Sequence, residues 1–166
     1  MSFRNEEKLH LDKSKSFLFL DYLYKKKAKK IFKNRKISSI YFDNKNFDMY
    51  NHSIEGLVPR KKIRLRYYNE DKKEFQYEIK INSAEGRYKI SKKTTNNRVL
   101  NGFFDTDYGQ LKPVTIVSYT RSYYLLKKLR ITLDQNIEYQ KYNNKRVFRD
   151  NNIVAEVKSS FNYPKD

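Results

Sequence analysis

The stretch that decides the fold is Lys62-Ile63-Arg64-Leu65-Arg66-Tyr67-Tyr68. Charged and apolar residues alternate in it, and successive side chains of a β-strand point to opposite faces of the sheet. The segment Tyr77-Glu78-Ile79-Lys80 alternates in the same way. Residues 69–72 between them, Asn-Glu-Asp-Lys, are typical of a turn. We therefore predict a hairpin of two strands, 61–68 and 74–82, with one charged face and one apolar face.

Outward from this hairpin, most of the chain alternates as strands do. The further predicted strands are 37–42, 87–92, 113–124, 128–135, 137–142 and 153–160. Two helices are predicted, a long one over 14–34, capped by Ser14 or Ser16, and a short one over 96–104. The predicted class is α+β, a mostly antiparallel sheet that carries few helices.

The balance of charge indicates the kind of partner. The chain has 37 Lys and Arg against 19 Asp and Glu, which gives a net charge of +18. Such a charge opposes compaction and favours an anionic partner, such as nucleic acid, a membrane surface or phosphate. There is no Cys and there are only two His. Any metal site would therefore use carboxylates, which favours hard ions such as Mg²⁺ or Mn²⁺.

Length and hydropathy bound the organisation of the chain. Its 166 residues suit one domain, which we predict to span residues 1–166. The longest apolar run, residues 17–20, is far too short to span a membrane. The first fifteen residues are charged and lack the apolar region of a signal peptide. A cytoplasmic protein is the expectation.

The charged faces of the predicted strands carry the chemistry. Arg is concentrated on these strands, whereas Lys dominates the predicted long helix, and the planar guanidinium suits bidentate contacts with phosphate. A Glu-x-Lys pair recurs at Glu6/Lys8, Glu78/Lys80 and Glu156/Lys158. These faces either meet water, as in a half-exposed sheet, or line a sheet that closes around an anion. In the second case the carboxylates would hold a divalent metal that bridges to phosphate.

A known family resembles this pattern along nearly the whole chain. The matching segments are Arg4-Asn5-Glu6-Glu7-Lys8, Ser39-Ile40-Tyr41-Phe42-Asp43, Phe47-Asp48-Met49-Tyr50, Lys62 to Tyr68, Tyr77 to Lys80, Tyr88-Lys89, Tyr119-Thr120-Arg121, Leu129 to Asp134 and Ala155-Glu156-Val157-Lys158. In this order they are similar to the VTC domain of the triphosphate tunnel metalloenzymes, also called the CYTH superfamily. The family continues past its last Glu-x-Lys strand into a further basic segment, which we expect this sequence, ending at Asp166, to lack.

The resemblance implies a fold and an activity. It implies a tunnel of eight antiparallel strands and a metal-dependent polyphosphate polymerase, which passes the γ-phosphoryl group of ATP to inorganic polyphosphate. It implies a site of cations that bind the phosphates: Lys8, Arg64, Arg66, Lys80, Lys89, Arg121, Arg130 and Lys158. All of these except Lys89 and Lys158 are also predicted to act in catalysis. Mn²⁺ or Mg²⁺ would be held by Glu156, with help from Glu6 or Glu78.

Two other functions remain open at this point. A hydrolase of tripolyphosphate or of a nucleoside triphosphate would use the same lining, with water as the acceptor. A non-catalytic domain that binds a polyanion would need only the cations. Nucleic acid is the weaker expectation, because Tyr67, Phe75 and Tyr77 alternate away from the arginines instead of lying among them. Asp134 is interpreted as a turn-end residue that hydrogen-bonds the backbone.

Overall fold

The computed structural model describes residues 4–95 and 97–160. Its strands are β1 Arg4–Leu11, β2 Lys29–Asp43, β3 Arg60–Tyr68, β4 Asp71–Ser83, β5 Gly86–Thr94, β6 Phe103–Asp105, β7 Gly109–Leu126, β8 Leu129–Lys141, β9 Val147–Asp150 and β10 Ile153–Ser160. Its α-helices are α1 Lys13–Lys25 and α2 Asp48–Glu55, and a 3₁₀ turn covers Asn97–Asn101.

The strands form one sheet whose order is β1-β10-β8-β7-β2-β3-β4-β5. Two short strands lie beside this path, since β6 pairs with β7 and β9 pairs with β8. The pairs β1–β10, β10–β8, β2–β3, β3–β4 and β4–β5 are all antiparallel. The predicted α+β class and the central hairpin are confirmed. The main path has the eight strands that were expected, and the two short strands raise the number of strands in the described residues to ten.

The long helix predicted over 14–34 is wrong in its second half. Helix α1 ends at Lys25, Lys27 has a φ of +55°, and strand β2 begins at Lys29. Lysine is a good helix former, but Ile31 and Phe32 favour a strand, and the pairing of β2 overrides the helical preference. The cap is neither Ser14 nor Ser16, because the side chain of Asp12 accepts the backbone N–H of Lys15 at 2.8 Å.

Other boundaries also differ from the prediction. The region predicted as a helix over 96–104 holds the 3₁₀ turn and then strand β6, and residue 96 lies outside the described residues. The strands predicted over 128–135 and 137–142 are one strand, β8, in which Asn136 has a φ of +52°. A residue with positive φ interrupts the alternation without ending the pairing, so the sequence there resembles two strands.

The described residues divide into two compact units. The hairpin unit contains Ile37–Val117 and Tyr139–Phe148, and the terminal unit contains the remaining described residues. The core of the hairpin unit is built on the apolar faces of β2, β3 and β4, and contains Ile40, Phe42, Ile63, Leu65, Tyr67 and Phe75. These side chains are buried, which forces the alternate residues of the same strands onto the other face. The single domain expected over residues 1–166 stays a prediction.

The terminal unit has a core of its own. Leu11, Leu23, Ile131, Leu133 and Ala155 form it, with contributions from β1, α1, β8 and β10. Their burial turns the alternate residues of β8 and β10, among them Thr132 and Glu156, to the opposite face. In the described ranges 4–95 and 97–160, no helix is long and apolar enough to cross a membrane.

Candidate functional site

The charged face of the hairpin unit centres on one buried carboxylate, that of Glu78. Its Oε2 accepts from Arg64 Nε at 2.7 Å and lies 2.6 Å from Arg64 Nη2. Lys89 Nζ lies 2.6 Å from the other oxygen, and Arg66 Nη1 lies 3.9 Å from Oε2. The Glu78 side chain is only 4% exposed. We call these four residues the Glu78 cluster; in it one acid holds three cations.

Strand register produces this cluster. Arg64 lies between Tyr41 on β2 and Glu78 on β4, and Arg66 lies beside Ser39. The Tyr41 hydroxyl accepts from Arg64 Nη1 at 2.8 Å, and the Ser39 hydroxyl accepts from Arg66 Nε at 3.3 Å. The guanidinium groups are therefore fixed from both sides, and little rotamer freedom is left for a ligand to remove.

A second row of cations lies next to the Glu78 cluster. Lys62 pairs in register with Lys80, and Lys80 pairs with Lys89. Lys62 and Lys80 are exposed, whereas Arg66 is buried. Five cations on three neighbouring strands thus share one face with a single buried carboxylate. Such a surplus suits a ligand with several negative charges in a row.

The environment of Glu78 keeps its carboxylate ionised. Burial alone would raise the pKa of Glu78, but the hydrogen bond from Lys89 and the charges of Arg64 and Arg66 outweigh it and lower the pKa to about 2. At neutral pH the carboxylate therefore serves as a fixed anion that gathers the arginines.

The terminal unit presents a second charged face. Arg121 on β7 makes a bidentate contact with Asp134 on β8, with Nε–Oδ1 and Nη2–Oδ2 distances both of 2.6 Å. The guanidinium carbon lies 5.2 Å from the centre of the Tyr119 ring. Asp134 is buried in the middle of β8, so its interpretation as a turn-end residue is wrong. It orients Arg121 instead.

Strands β1 and β10 bring the two outer Glu-x-Lys pairs together. Lys158 Nζ lies 2.7 Å from a Glu156 oxygen and 3.2 Å from a Glu6 oxygen. Lys8 Nζ lies 3.9 Å from Glu156 and 3.8 Å from Glu6. Burial would raise the pKa of Glu156, but the hydrogen bond and charge of Lys158, with Arg121 and Lys8, lower it. We call Glu6, Lys8, Glu156 and Lys158 the Glu156 cluster.

Oxygen donors at the Glu156 cluster suit a hard divalent cation. Thr132 lies opposite Glu156 in the β10–β8 register, and its hydroxyl oxygen is buried without a hydrogen-bond partner in the described structure. With the carboxylates of Glu6 and Glu156, it gives an all-oxygen set of the kind that Mg²⁺ and Mn²⁺ prefer. The described residues contain no group of three acidic or histidine side chains around one point. Phosphate or water oxygens would have to complete the coordination. Both oxygens of Glu78 lie 2.6 Å from a cation, whereas of the four contacts in the Glu156 cluster only that of Lys158 with Glu156, at 2.7 Å, is nearly as short.

The predicted site residues thus fall into two groups. Arg64, Arg66, Glu78, Lys80 and Lys89 lie together in the hairpin unit, whereas Glu6, Lys8, Arg121, Arg130, Glu156 and Lys158 belong to the terminal unit. Arg130 is exposed and lies beside Lys158 in register. No role as a partner was predicted for Ser39, Tyr41 or Thr132. Alternation on β2 and β8 places them on the charged face, but only the register shows which residues they meet.

Solved structures share this fold at low sequence identity. A candidate adenylate cyclase from Vibrio parahaemolyticus has a TM-score of 0.56 at 15% identity, over 99% of this chain and 78% of the other. A protein from Pyrococcus horikoshii OT3 has a TM-score of 0.59 at 12% identity, over 98% and 82%. A candidate adenylyl cyclase from Hippeastrum, reported to have a dominant triphosphatase activity, has a TM-score of 0.53 at 14% identity, over 95% and 80%. No curated protein matches the chain.

At these identities the neighbours show the fold alone. The family is shown by the sequence itself. The sequence model of the VTC domain matches residues 3–109 and 100–165, and the chain belongs to the VTC domain family. The resemblance expected from the sequence is confirmed.

Proposed function

We propose that the chain is a metal-dependent polyphosphate polymerase that transfers the γ-phosphoryl group of ATP to inorganic polyphosphate. In this reaction the bond from the γ-phosphorus to the β,γ-bridging oxygen breaks, a terminal oxygen of the chain bonds to that phosphorus, and ADP leaves. Little covalent chemistry falls to the protein, which positions the two reactants and offsets their charge.

The surplus of cations around Glu78 is the observation that carries this proposal. Arg64 and Arg66 hold fixed orientations through Tyr41, Ser39 and Glu78, so their guanidinium groups are oriented before a ligand arrives. Lys62, Lys80 and Lys89 extend the positive charge along the same face. In the proposed site these residues bind phosphates, as do Lys8, Arg121, Arg130 and Lys158 in the terminal unit.

The proposed metal ligands are Glu156 and Glu6, supported by the Thr132 hydroxyl. A divalent cation bound there would offset charge on the phosphate oxygens. Glu78 takes another role in this proposal: it orients Arg64 and Lys89. The closed eight-stranded tunnel belongs to the same proposal, since it would let one ligand meet cations from many strands.

Product analysis tests the proposed reaction. The protein is incubated with ATP and Mn²⁺ or Mg²⁺, and the products are separated by gel electrophoresis and by ³¹P NMR. We expect phosphate chains that lengthen with time, together with ADP in equal amount to the phosphate incorporated. ADP with free orthophosphate and no chain would contradict the polymerase.

The second candidate is a hydrolase of tripolyphosphate or of a nucleoside triphosphate, which the triphosphatase activity reported for the Hippeastrum neighbour favours. Orthophosphate released from tripolyphosphate in the presence of Mn²⁺ would identify it. Tight binding of tripolyphosphate without turnover of either substrate would identify a non-catalytic domain.

A further inference from the structure

The hairpin unit contains a cavity of about 930 Å³, and neither Arg64 nor Arg66 is among the residues that line it. Its volume lies within the range of small-molecule pockets. Helix α2 and the segment before it form one wall, and parts of β2, β3, β7 and β8 form the rest. The lining includes Asn46, Phe47, Tyr50, Ile54, Val114 and Tyr139.

Exposed apolar side chains form the α2 wall of this cavity. Phe47 is 46% exposed, Tyr50 is 60% exposed and Ile54 is 66% exposed. Val117 on β7 and Tyr139 on β8 also line the cavity, so aromatic and aliphatic groups reach it from several elements. In a chain of net charge +18 and mean hydropathy −0.97, a concave apolar surface of this kind indicates a ligand with an apolar part.

Two lining residues lie next to the Glu78 cluster. Tyr41 lines the cavity, and its hydroxyl accepts from Arg64 Nη1 at 2.8 Å. Lys62 also lines it and lies on the face that carries Arg64 and Arg66. A ligand with phosphates on the arginines would therefore extend its other end into the cavity.

Asp43, the acidic residue of the lining, accepts hydrogen bonds from backbone N–H groups. Asp43 Oδ1 accepts from Met49 N at 3.0 Å and from Asn44 N at 2.9 Å, and Oδ2 accepts from Tyr50 N at 3.0 Å. Asp43 thereby anchors the first turn of α2, and with it the position of the Tyr50 ring. It acts as a support for the wall and offers few lone pairs to a ligand.

We propose that this cavity is a nucleoside subsite, which holds the aromatic base and ribose of a nucleoside triphosphate whose phosphates lie on Lys62 and Arg64. The inference rests on the proposed function and adds to it how the donor nucleotide is oriented. A flat aromatic base suits a cavity lined by Phe47, Tyr50 and Tyr139, and inorganic tripolyphosphate has no group to place there.

Matched ligands and variants test the subsite. Binding of ATP and of tripolyphosphate is measured by calorimetry for the wild type, Tyr50→Ala and Tyr24→Ala. Tyr24 is 83% exposed on α1 and provides an equal truncation away from the cavity. Tyr50→Ala is expected to weaken ATP binding about tenfold and to leave tripolyphosphate binding unchanged, because only ATP has a base to stack. Tyr24→Ala is expected to change neither.

The outcomes separate the subsite from the proposed function. If Tyr50→Ala leaves ATP affinity unchanged, or weakens both ligands equally, the subsite is wrong while phosphate binding stands. If the wild type binds neither ligand, the proposed function fails and the subsite fails with it. Circular dichroism of the Tyr50→Ala protein checks its fold, and Tyr50→Phe, which keeps the ring, should restore ATP binding.

Discussion

At the scale of the residue, Glu78 links charge to stability. Arg64, Arg66 and Lys89 share one buried carboxylate, that of Glu78. If its charge were removed, these three cations would lose the carboxylate that they share. A buried ion pair of this kind costs more to break than it contributes as a whole, since an unpaired buried charge remains. The cluster should therefore be sensitive to protonation of this one residue.

Acid should destabilise the protein through Glu78. Its pKa is lowered from 4.5 to about 2 in the folded state. The stability that this shift provides is fully present above pH 4.5 and is lost as the pH falls toward 2. It amounts to ~3 kcal/mol in the free energy of unfolding. Urea unfolding at pH 7 and at pH 3 should show a loss of ~2 kcal/mol from this residue, since the rest is lost only below pH 3. Glu78→Gln should be less stable at pH 7 and should lose less between those pH values. An equal loss in both proteins would contradict the assignment.

The Glu156 cluster gives a second prediction, which separates metal binding from anion binding. Glu156→Gln keeps the shape of the side chain but removes the charge that a cation needs. We expect metal-dependent turnover to fall ~100-fold or more, while tripolyphosphate affinity, measured by calorimetry without metal, is largely kept. Glu7→Gln is the matched control, since Glu7 is the neighbouring glutamate that alternates to the other face of β1. Normal turnover in Glu156→Gln would exclude Glu156 as a ligand.

The alternation of charges was enough to predict the arginines and glutamates of both clusters, because burial of Ile63 and Leu65 forces Arg64 and Arg66 to the same face. It could not predict their partners. Tyr41 meets Arg64 because of the register of β2 and β3, which helix α2 separates along the chain, and local pattern carries no information on that register. Arg121 and Asp134 lie on the consecutive strands β7 and β8. Asp134 was misinterpreted as a turn residue because its strand was predicted to end at residue 135, whereas β8 continues to Lys141.

At the scale of the element, each of the two α-helices shows a limit of sequence-based prediction. The lysine-rich segment after α1 has the composition of a helix, yet pairing of β2 with its neighbours overrides that preference. Helix α2 has no side-chain cap at its own N-terminus, where Phe47 adopts a left-handed conformation. Asp43, at the end of β2, supplies the acceptors that this helix needs.

Removal of the Asp43 carboxylate should therefore loosen α2. Asp43→Ala leaves the N–H groups of Asn44, Met49 and Tyr50 without their acceptor, and these lie in or near the buried interior. The free energy of unfolding should fall by ~2 kcal/mol or more, as measured by urea unfolding. Asp43→Asn retains one acceptor oxygen and should lose less. Wild-type stability in Asp43→Ala would show that the cap is dispensable.

At the scale of the whole molecule, net charge is a poor guide to the site. The exposed lysines of α1 and of the segment that follows it contribute to the +18 without belonging to either cluster. Several of the cations proposed to bind phosphate, among them Arg64, Lys89 and Arg121, lie beside acids that orient them. An anion that binds there relieves repulsion among them, so ligand binding and folding stability should be linked.

The central claim is that a triphosphate binds to the arginines of the hairpin unit. Its most direct test is the melting temperature with and without tripolyphosphate, in the wild type and in the Arg64→Ala/Arg66→Ala double variant. Lys89 still pairs with Glu78 in that variant, so the fold should be kept. The control, Arg146→Ala/Arg149→Ala, removes the same charge at exposed positions.

At a concentration about 100 times the Kd, tripolyphosphate should stabilise the wild type and the control by ~2.7 kcal/mol, and Mn²⁺ should add to the shift. The Arg64→Ala/Arg66→Ala protein should lose most of this shift. An equal shift in all three proteins would contradict the claim.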